Sequence, residues 1–286
     1  MTGIAPALRD ATARLAGMSE TPRLDAELLM AHALGIGRSE LLLRQTNLTL
    51  PDSFAGFLAR RIADEPVAYI TGYQDFWDLR LAVTPDVLIP RADSETLIDA
   101  AIEAFAGHDQ PQRVLDLGTG SGALLLAAMS VFPDADGVGV DASIAALAVA
   151  RQNAQALGFD KRATFRHLSW KDAGWAAALD GPFDLILCNP PYVEDAANLA
   201  PMVADYEPHT ALFAGPDGLD DYRILIPLIP DLLSHIGAAI FEIGFTQMYA
   251  VSDLASKSGL STEMRRDLAG NPRCLRFSLG IGKADG

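Results

Sequence analysis

Short apolar runs alternate with longer amphipathic runs between residues 113 and 279, and this alternation restricts the possible fold more than any other feature. Strands are predicted at residues 113–117, 137–140, 164–168, 183–188, 238–243, 261–267 and 274–279. Helices are predicted at residues 122–131, 143–157, 222–234 and 246–258. Because strands that alternate with helices form a parallel sheet covered on both faces, we predict an α/β fold with a mostly parallel, seven-stranded sheet. A hairpin turn at Gly270-Asn271-Pro272 should make the last two strands antiparallel.

The first 72 residues show helical periodicity and no convincing strand. Helices are predicted at residues 4–16, 25–34, 39–43 and 53–63. Thr21-Pro22 and Pro51-Asp52-Ser53 are helix-start signals, while Gly35 and Gly37 stand where a helix C-cap is expected. We predict a small all-helical domain at residues 1–72 whose role is to recognise a partner. A stabilising cap without a partner is the alternative.

Alternating apolar positions at residues 73–90 predict a β-hairpin that links the helical domain to a main domain at residues 91–286. Asp93 or Ser94 is predicted to cap a helix that runs to about Phe105, with Glu95 as a favourable charge in its first turn. Residues 193–221 show no clear periodicity. Loops of that length in compact domains are usually functional, so we expect this one to serve the site.

The composition narrows the classes of partner. A formal net charge of −15 and a pI near 4.6 disfavour a protein whose main ligand is a phosphate backbone, so we expect no direct nucleic-acid binding. Cys188 and Cys274 are the only cysteines, which implies no disulfide framework and fits a reducing compartment. The five histidines are scattered without a ligand spacing, so no metal site is expected.

The sequence predicts neither a membrane span nor a secretory signal. Pro227, Pro230 and Asp231 interrupt the longest apolar run. Arg9 and Arg14 stand where a signal peptide would have its apolar core, inside a pattern that is amphipathic. We therefore expect a cytoplasmic protein with no membrane partner.

The turn Asn189-Pro190-Pro191-Tyr192 follows the predicted strand at residues 183–188. The prolines end the strand, so Asn189 emerges at its carboxyl end, where ligands bind in open α/β sheets. Prolines also lack N–H donors, so the carbonyls of Asn189 and Pro190 can face outward. With the Asn189 side-chain oxygen and an aromatic lid from Tyr192, they predict a cradle for a planar NH2 group. The alternative is ordinary turn punctuation, because Asn-Pro and Pro-Pro are common in turns.

A glycine-rich loop follows the first predicted strand and opens a helix. It reads Asp116-Leu117-Gly118-Thr119-Gly120-Ser121-Gly122. Glycines at alternate positions allow a tight turn and a close approach to a ligand, and the helix N-terminus offers unpaired N–H groups. The third glycine comes one residue too early for the dinucleotide fingerprint, and no Lys-Ser/Thr follows as in a P-loop.

Two more strand ends carry side chains suited to a nucleoside. Asp141 ends the second predicted strand, where a carboxylate can accept hydrogen bonds from both ribose hydroxyls. Ser169-Trp170 ends the third, where an indole can stack on a purine. A plain glycine turn, an N-cap aspartate and a core tryptophan are the separate alternatives. Three strand ends in register nevertheless favour a nucleoside ligand.

These motifs together resemble class I S-adenosylmethionine-dependent methyltransferases of the amino-methylating branch. More closely, the chain resembles the protein-(glutamine-N5) methyltransferases that modify peptide chain release factors, the HemK/PrmC family. The resemblance extends to Pro22-Arg23-Leu24-Asp25-Ala26-Glu27, Glu65-Pro66 to Gly72, Phe76-Trp77, Ile89-Pro90-Arg91, Ser94-Glu95 and Tyr206-Glu207-Pro208. It covers nearly the whole chain. The departures are small: Ala92 and Ser94 stand where the family often shows proline and threonine.

The resemblance implies a Rossmann-like fold and two sets of binding residues. S-adenosylmethionine would be held by Gly118, Thr119, Gly120, Ser121, Gly122, Asp141, Trp170 and Asn189. The glutamine of a Gly-Gly-Gln tripeptide in a release factor would be held by Asn189, Pro190, Pro191 and Tyr192, with Asn189 as the catalytic residue. An amide nitrogen is a poor nucleophile because its lone pair is delocalised, so the site must orient it. This chemistry needs no metal and no covalent enzyme intermediate.

Two other functions fit parts of the pattern. A DNA methyltransferase that acts on the exocyclic amine of adenine would use the same cradle after base flipping. The acidic charge and the lack of a basic, aromatic-rich recognition domain stand against it. A nucleoside-binding module without catalysis is the second alternative, and an asparagine that faces a glycine loop argues against that.

Overall fold

A computed structural model describes residues 3–45 and 47–280 of the chain. The contacts between residues divide it into two compact units. One unit contains the chain up to Tyr73 together with Leu199–Glu207, and the other contains Gln74–Asn198 and the chain from Pro208 onward. Within the described residues, no helix is both long and apolar enough to cross a membrane.

The first unit is helical. Its helices are α1 (Ile4–Leu15), α2 (Pro22–Leu34), α3 (Arg38–Arg44), α4 (Ser53–Ile62), α5 (Val67–Thr71) and α9 (Pro201–Ala204). Leucine, isoleucine and methionine side chains from α1 to α5 form its core, among them Leu8, Leu29, Met30 and Leu41. Pro22, part of the predicted start signal, is itself the first residue of α2, three residues before the predicted start, since a proline loses no hydrogen bond at the first position of a helix.

Two local predictions in this unit need correction. Gly35 ends α2 in the left-handed conformation, but Gly37 has an extended backbone and is the N-cap residue of α3, not a C-cap. The sequence also predicted no helix at α5. Five residues between Pro66 and Gly72 are too few to show a helical period, so only the tertiary structure reveals this turn of helix.

The predicted hairpin at residues 73–90 is shorter than expected. Strands β1 (Tyr73–Phe76) and β2 (Leu79–Ala82) pair in a two-stranded sheet, and residues 83–91 have no regular structure. Trp77 adopts a positive φ of 55° at the turn. Its backbone N–H donates to Glu95 Oε1 at 2.9 Å, so Glu95 does more than place a charge in a helix's first turn.

The second unit contains a seven-stranded sheet within the described residues. Its strands are β3 (Arg113–Leu117), β4 (Asp136–Asp141), β5 (Ala163–His167), β6 (Phe183–Cys188), β7 (Leu233–Glu242), β8 (Leu260–Arg266) and β9 (Pro272–Leu279). Their order is β5-β4-β3-β6-β7-β9-β8. Strands β3 to β7 pair in parallel, and β9 runs antiparallel to β7 and β8. The prediction of a mostly parallel sheet with an antiparallel end is confirmed.

Helices cover both faces of this sheet. They are α6 (Glu95–Ala104), α7 (Ala123–Val131), α8 (Ile144–Ala156), α10 (Asp220–Leu225), α11 (Ile229–Leu232) and α12 (Met248–Lys257). One apolar cluster packs α6, α7 and α8 against one face, and a second cluster packs α10, α11 and α12 against the other. The alternating strands and helices thus form three layers, with the sheet between two layers of helices.

The single helix predicted at residues 222–234 is wrong. The chain forms α10, a 3-10 turn at Ile226–Leu228 and α11, and Leu233 already begins β7. Pro227 and Pro230 lack the N–H groups that a continuous helix needs, so the ladder breaks there. The predicted loop at residues 193–221 also has structure of its own: α9, a 3-10 turn at His209–Ala211 and a bridge between Val193 and Phe213.

The strand order places the important turns together. Outward from β3, the sheet continues to β4 and β5 on one side and to β6 and β7 on the other. Leu117 and Cys188, the last residues of β3 and β6, are register partners. The loop after Leu117 and the turn after Cys188 therefore begin side by side at the switch point of the sheet, where open α/β sheets bind ligands.

Candidate active site

The glycine loop turns sharply after β3. The backbone N–H groups of Gly118 and Thr119 both donate to the carbonyl of Val140, each at 2.9 Å. Gly118 has a φ of 75°, and a Cβ atom there would come within 3.1 Å of the Trp170 ring. Gly122, with a φ of 84°, precedes α7. These two glycines are needed because the backbone is left-handed and, at Gly118, closely approached.

A cavity of about 500 Å³ opens at this edge of the sheet. Its wall includes Gly118, Gly120, Asp141, Trp170, Asn189 and Asp221. The volume falls in the range of small-molecule sites, which is roughly 300 to 1,000 Å³. The structure thus brings together the three strand ends that the sequence singled out.

Asp141 is bound to the backbone on both sides of its carboxylate. Oδ2 accepts from Gly120 N at 2.9 Å and Oδ1 accepts from Ser143 N at 2.8 Å. Burial raises the pKa of Asp141, and these N–H donors oppose the rise. The side chain that caps α8 is Ser143, whose Oγ accepts from Ala146 N, so Asp141 is not the N-cap. Each carboxylate oxygen keeps acceptor capacity for a ligand, and the ribose role remains a prediction.

Trp170 is half-buried in the cavity wall and does not belong to the buried core. Its Nε1 donates to Asp221 Oδ1 at 2.6 Å. Asp221 itself is buried, and its Oδ2 has no hydrogen-bond partner among the described residues. The Nζ atom of Lys171 lies 3.9 Å from Asp221 Oδ1. Sequence reasoning missed Asp221, although an aspartate pair at the start of α10 after Gly218 offered a signal.

Thr119 and Ser121 face a second, smaller space. Both side chains are buried and line a cavity of about 60 Å³ that shares Gly118, Gly120 and Asn189 with the larger one. Thr119 Oγ1 donates to Asp116 Oδ2 at 2.6 Å. Burial raises the pKa of Asp116 to about 7, against the opposing bond from Thr119. Gly122 lines neither cavity and shapes the loop instead.

Within the turn after β6, the two prolines are buried and Asn189 and Tyr192 are half-buried. Asn189 and Pro191 line the larger cavity, whereas Pro190 and Tyr192 do not. The Tyr192 hydroxyl donates to Glu242 Oε1 at 3.1 Å. Burial raises the pKa of Tyr192, and the neighbouring Glu242 raises it further. Its position as an aromatic lid remains a prediction.

A buried carboxylate at the end of β7 connects the residues around Asn189. Asn189 Nδ2 donates to Ser94 Oγ at 3.2 Å, and Ser94 Oγ donates to Glu242 Oε2 at 2.5 Å. The sequence predicted that Asp93 or Ser94 caps α6. Ser94 is the N-cap residue, but its side chain makes no capping hydrogen bond. Burial raises the pKa of Glu242, while Ser94, Arg273 and Tyr192 oppose this. Sequence reasoning missed Glu242, although it ends a strand in the same way as Asp141.

The titratable side chains that line the larger cavity are mainly carboxylates. Within residues 3–45 and 47–280, no group of three or more His, Cys, Asp or Glu residues is arranged to hold a metal ion. The wall of the larger cavity carries three carboxylates, Asp86, Asp141 and Asp221, together with Lys171. An acidic wall of this kind favours a ligand that carries positive charge.

Comparisons with known proteins agree with this geometry. Residues 6–72 match the model of the PrmC N-terminal domain, and residues 108–212 match a methyltransferase domain. The chain is 43% identical over 268 residues to a release factor glutamine methyltransferase of Rhodospirillum rubrum, covering 92% of this chain and 80% of that protein. It is 41% identical over 283 residues to a protein of the same name from Bradyrhizobium diazoefficiens, covering 95% and 93%.

A solved structure supports the fold alone. The crystal structure of a methyltransferase from Pyrococcus furiosus matches with a TM-score of 0.51 and 18% identity, covering 79% of this chain and 100% of that one. Identity above 40% to both relatives, over 92% and 95% of this chain, decides the family. The chain belongs to the release factor glutamine methyltransferases.

Proposed function

We propose that this protein transfers a methyl group from S-adenosylmethionine to the side-chain amide nitrogen of the glutamine in the Gly-Gly-Gln motif of peptide chain release factors. One observation carries the proposal: Leu117 and Cys188 are register partners, so the glycine loop and Asn189 share the wall of one cavity. A cofactor and a planar amide can therefore meet there. The substrate class is supported by the names of the relatives that are about 40% identical.

The residues of the larger cavity fit S-adenosylmethionine. Asp141 offers acceptors for hydroxyl groups, and the left-handed Gly118 leaves room beside Trp170 that a side chain would fill. Asp221 Oδ2, buried and without a partner among the described residues, is an acceptor suited to a ligand N–H. When bound, S-adenosylmethionine supplies a methyl group on a positively charged sulfonium. The acidic wall favours that charge.

The turn after β6 would bind and orient the substrate amide. In this proposal Asn189 Oδ1 and the Pro190 carbonyl accept the two N–H bonds of the glutamine side chain. The nitrogen lone pair is then directed toward the methyl donor, which is a proximity and orientation effect. The nitrogen becomes acidic once it is methylated and loses its proton to water or a carbonyl. No base, metal ion or covalent enzyme intermediate is needed from the chain.

A labelling experiment tests the proposal. The protein is incubated with methyl-labelled S-adenosylmethionine and, separately, with a release factor, the same release factor with Gly-Gly-Ala in place of Gly-Gly-Gln, or double-stranded DNA. We expect label only in the intact release factor. Label in DNA would favour the adenine-amine alternative, and label in neither, with measurable cofactor binding, would favour a binding module.

The helical unit is proposed to bind the release factor away from the reacting tripeptide. Contacts remote from the reacting atoms can raise turnover as well as affinity because they position the substrate. Leu43 on α3 is 85% exposed and is a suitable first contact to test. Leu43→Ser should raise KM for the release factor about fivefold, as for a moderate interface contact. Leu268→Ser, at a fully exposed leucine in the other unit, is the control. Equal effects of the two changes on KM would favour the alternative, in which the helical unit is a stabilising cap without a partner.

The remaining parts of the proposal concern conditions. Cys188 and Cys274 are both buried and free, which fits work in a reducing compartment such as the cytoplasm. The acidic overall charge fits a protein partner better than a direct nucleic-acid partner. Methylation that is unaffected by a chelator would support catalysis without a metal ion.

A further inference from the structure

Three side chains from distant parts of the sequence form a hydrogen-bonded chain that ends at Asn189. Ser94 precedes α6, Asn189 follows β6 and Glu242 ends β7. Asn189 Nδ2 lies 3.2 Å from Ser94 Oγ, which lies 2.5 Å from Glu242 Oε2. Ser94 and Glu242 are buried, so water does not compete for these bonds.

The chemistry of the three groups decides which one donates and which one accepts in each of these two hydrogen bonds. An ionised carboxylate only accepts hydrogen bonds, so the one hydroxyl proton of Ser94 must go to Glu242. Toward Asn189 the Ser94 oxygen can then only accept. The Asn189 amide must therefore present its NH2 group to Ser94, and its oxygen must point away from Ser94 within the amide plane. Burial raises the pKa of Glu242, but the Ser94 hydroxyl, the positive charge of Arg273 and the Tyr192 hydroxyl at 3.1 Å oppose the rise and favour the ionised carboxylate.

We propose that Ser94 and Glu242 are positioning residues that set which way the Asn189 amide points. They keep Asn189 Oδ1 available to accept from the substrate amide. Asn189 Oδ1 makes no hydrogen bond within the described chain, which agrees with an acceptor reserved for a ligand. The reverse orientation would point an NH2 group at the substrate NH2 group, and two donors would face each other. This inference rests on the proposed function, because it assumes that the substrate offers an N–H donor.

Ser94→Ala removes the central member of this hydrogen-bonded chain and so tests the inference directly. The change removes the acceptor for Asn189 Nδ2 and leaves the amide free to rotate. We expect kcat for methylation of the release factor to fall about tenfold, the worth of one net hydrogen bond, and the Kd for S-adenosylmethionine to stay within about twofold. Ser94→Thr keeps the hydroxyl and should retain most of the activity.

A matched control is available at the other end of the same sheet. Ser234, the second residue of β7, is a partly buried serine whose Oγ donates to Asp184 Oδ1 at 2.8 Å. Ser234→Ala therefore removes the same kind of bond far from the site, and kcat should not change. Glu242→Gln should lower kcat as well, because a carboxamide oxygen cannot accept from both Ser94 and Tyr192 in the way a carboxylate does.

Three kinetic outcomes would overturn the inference. They are an unchanged kcat in folded Ser94→Ala, equal losses in Ser94→Ala and Ser234→Ala, and a Ser94→Thr variant as poor as Ser94→Ala. A loss confined to cofactor affinity would also overturn it, since Ser94 would then be a cofactor ligand.

A second readout separates this inference from the proposed function. In protein labelled with ¹⁵N-asparagine, the Asn189 side-chain amide should show one slowly exchanging proton that is lost in Ser94→Ala. The Asn189 signal is assigned by its absence in Asn189→Ala. Fast exchange in the wild type would overturn the inference. If the proton is protected but no release factor becomes labelled, the hydrogen-bonded chain stands and the proposed function fails.

Discussion

Asp25 and Glu27 of the helical unit have cationic partners, whereas Asp116 and Asp141 at the edge of the sheet are bound by neutral donors. In the helical unit, Asp25 pairs with Arg61 and Glu27 lies between two arginines. At the carboxyl edge of the sheet, the donors bound to Asp116 and Asp141 are neutral hydroxyl or backbone N–H groups. A buried carboxylate that is already paired with a cation has no strong tendency to bind a ligand. A buried carboxylate with unused acceptor capacity can bind one, so burial alone does not identify a functional carboxylate.

The helical unit illustrates the structural use of acids. Asp25 Oδ2 accepts from Arg61 Nε at 2.9 Å, with side-chain exposures of 10% and 3%. Glu27 accepts from Arg23 and from Arg38, and these bonds hold the pKa of Glu27 below its usual value although burial opposes them. Asp25 and Glu27 belong to the motif that supported the family resemblance. In this structure their partners are other residues of the same unit.

The largest expected effect is on stability, and it concerns the paired acids of the helical unit. Arg61→Met removes the cation and leaves Asp25 buried without its partner, so we expect unfolding in urea to require about 3 to 5 kcal/mol less free energy. The Kd for S-adenosylmethionine should not change in the fraction that remains folded. A loss below about 1 kcal/mol would place this pair with ordinary surface ion pairs and weaken the contrast.

The next effect concerns catalysis at the sheet edge. Asn189→Ala should lower kcat at least about 100-fold, the usual loss for one group that acts on the transition state, and should lower the melting temperature only slightly. Asn189→Asp still accepts N–H bonds, so it should retain part of the activity. If Ala and Asp give equal rates, Asn189 does not act as an acceptor.

Asp141→Ala sharpens the contrast through cofactor affinity. The change removes acceptors proposed for the ribose and also the partner of Gly120 N, so the loop that lines the cavity loses its support. We expect S-adenosylmethionine binding to weaken by about 1 to 3 kcal/mol in calorimetry, as for charge-assisted hydrogen bonds. Unchanged affinity in a folded variant would remove Asp141 from the binding site.

Asp116 should make the stability of the protein depend on pH. Burial raises its pKa to about 7 in the folded protein, from an ordinary value of 3.8. The folded state therefore holds the proton more tightly than the unfolded state, and stability is lost as the pH rises through about 7. Between pH 5 and pH 7.5 the wild type should lose about 2 kcal/mol of unfolding free energy relative to Asp116→Asn. Parallel stability curves for the two proteins would show that Asp116 does not titrate in this range.

The smallest effect tests burial within the helical unit itself. Asp10 and Arg14 form an exposed pair at 3.8 Å, with side-chain exposures of 70% and 52%. Asp10→Asn should change the unfolding free energy by less than about 0.5 kcal/mol, and added salt should remove even that. A change as large as that for Arg61→Met would mean that burial does not separate these pairs.

Much of the fold could be predicted because the relevant signals are local. Strand-length apolar runs and helical periodicity located the seven strands of the described sheet, with the clearest misjudgement at the start of β7. That strand begins at Leu233, five residues before the predicted start at Ala238, because Ser234, His235 and Gly237 interrupt the apolar pattern that would mark its first half. Apolar runs alone cannot tell a buried helix from a buried strand. The 3-10 turn between the two short helices also depends on Pro227 and Pro230, whose effect on a helix is a probability and not a rule.

The sequence by itself determined which chemical groups stand at strand ends. Gly118, Asp141, Trp170 and Asn189 were found because a residue's place after a strand depends only on its neighbours in the chain. The tertiary structure decided which groups bind one another. Ser94, Asn189 and Glu242 are 95 and 53 positions apart along the chain, and only the order of strands brings them within hydrogen-bond distance. Strand order arises from the packing of the whole sheet, so no local pattern contains it.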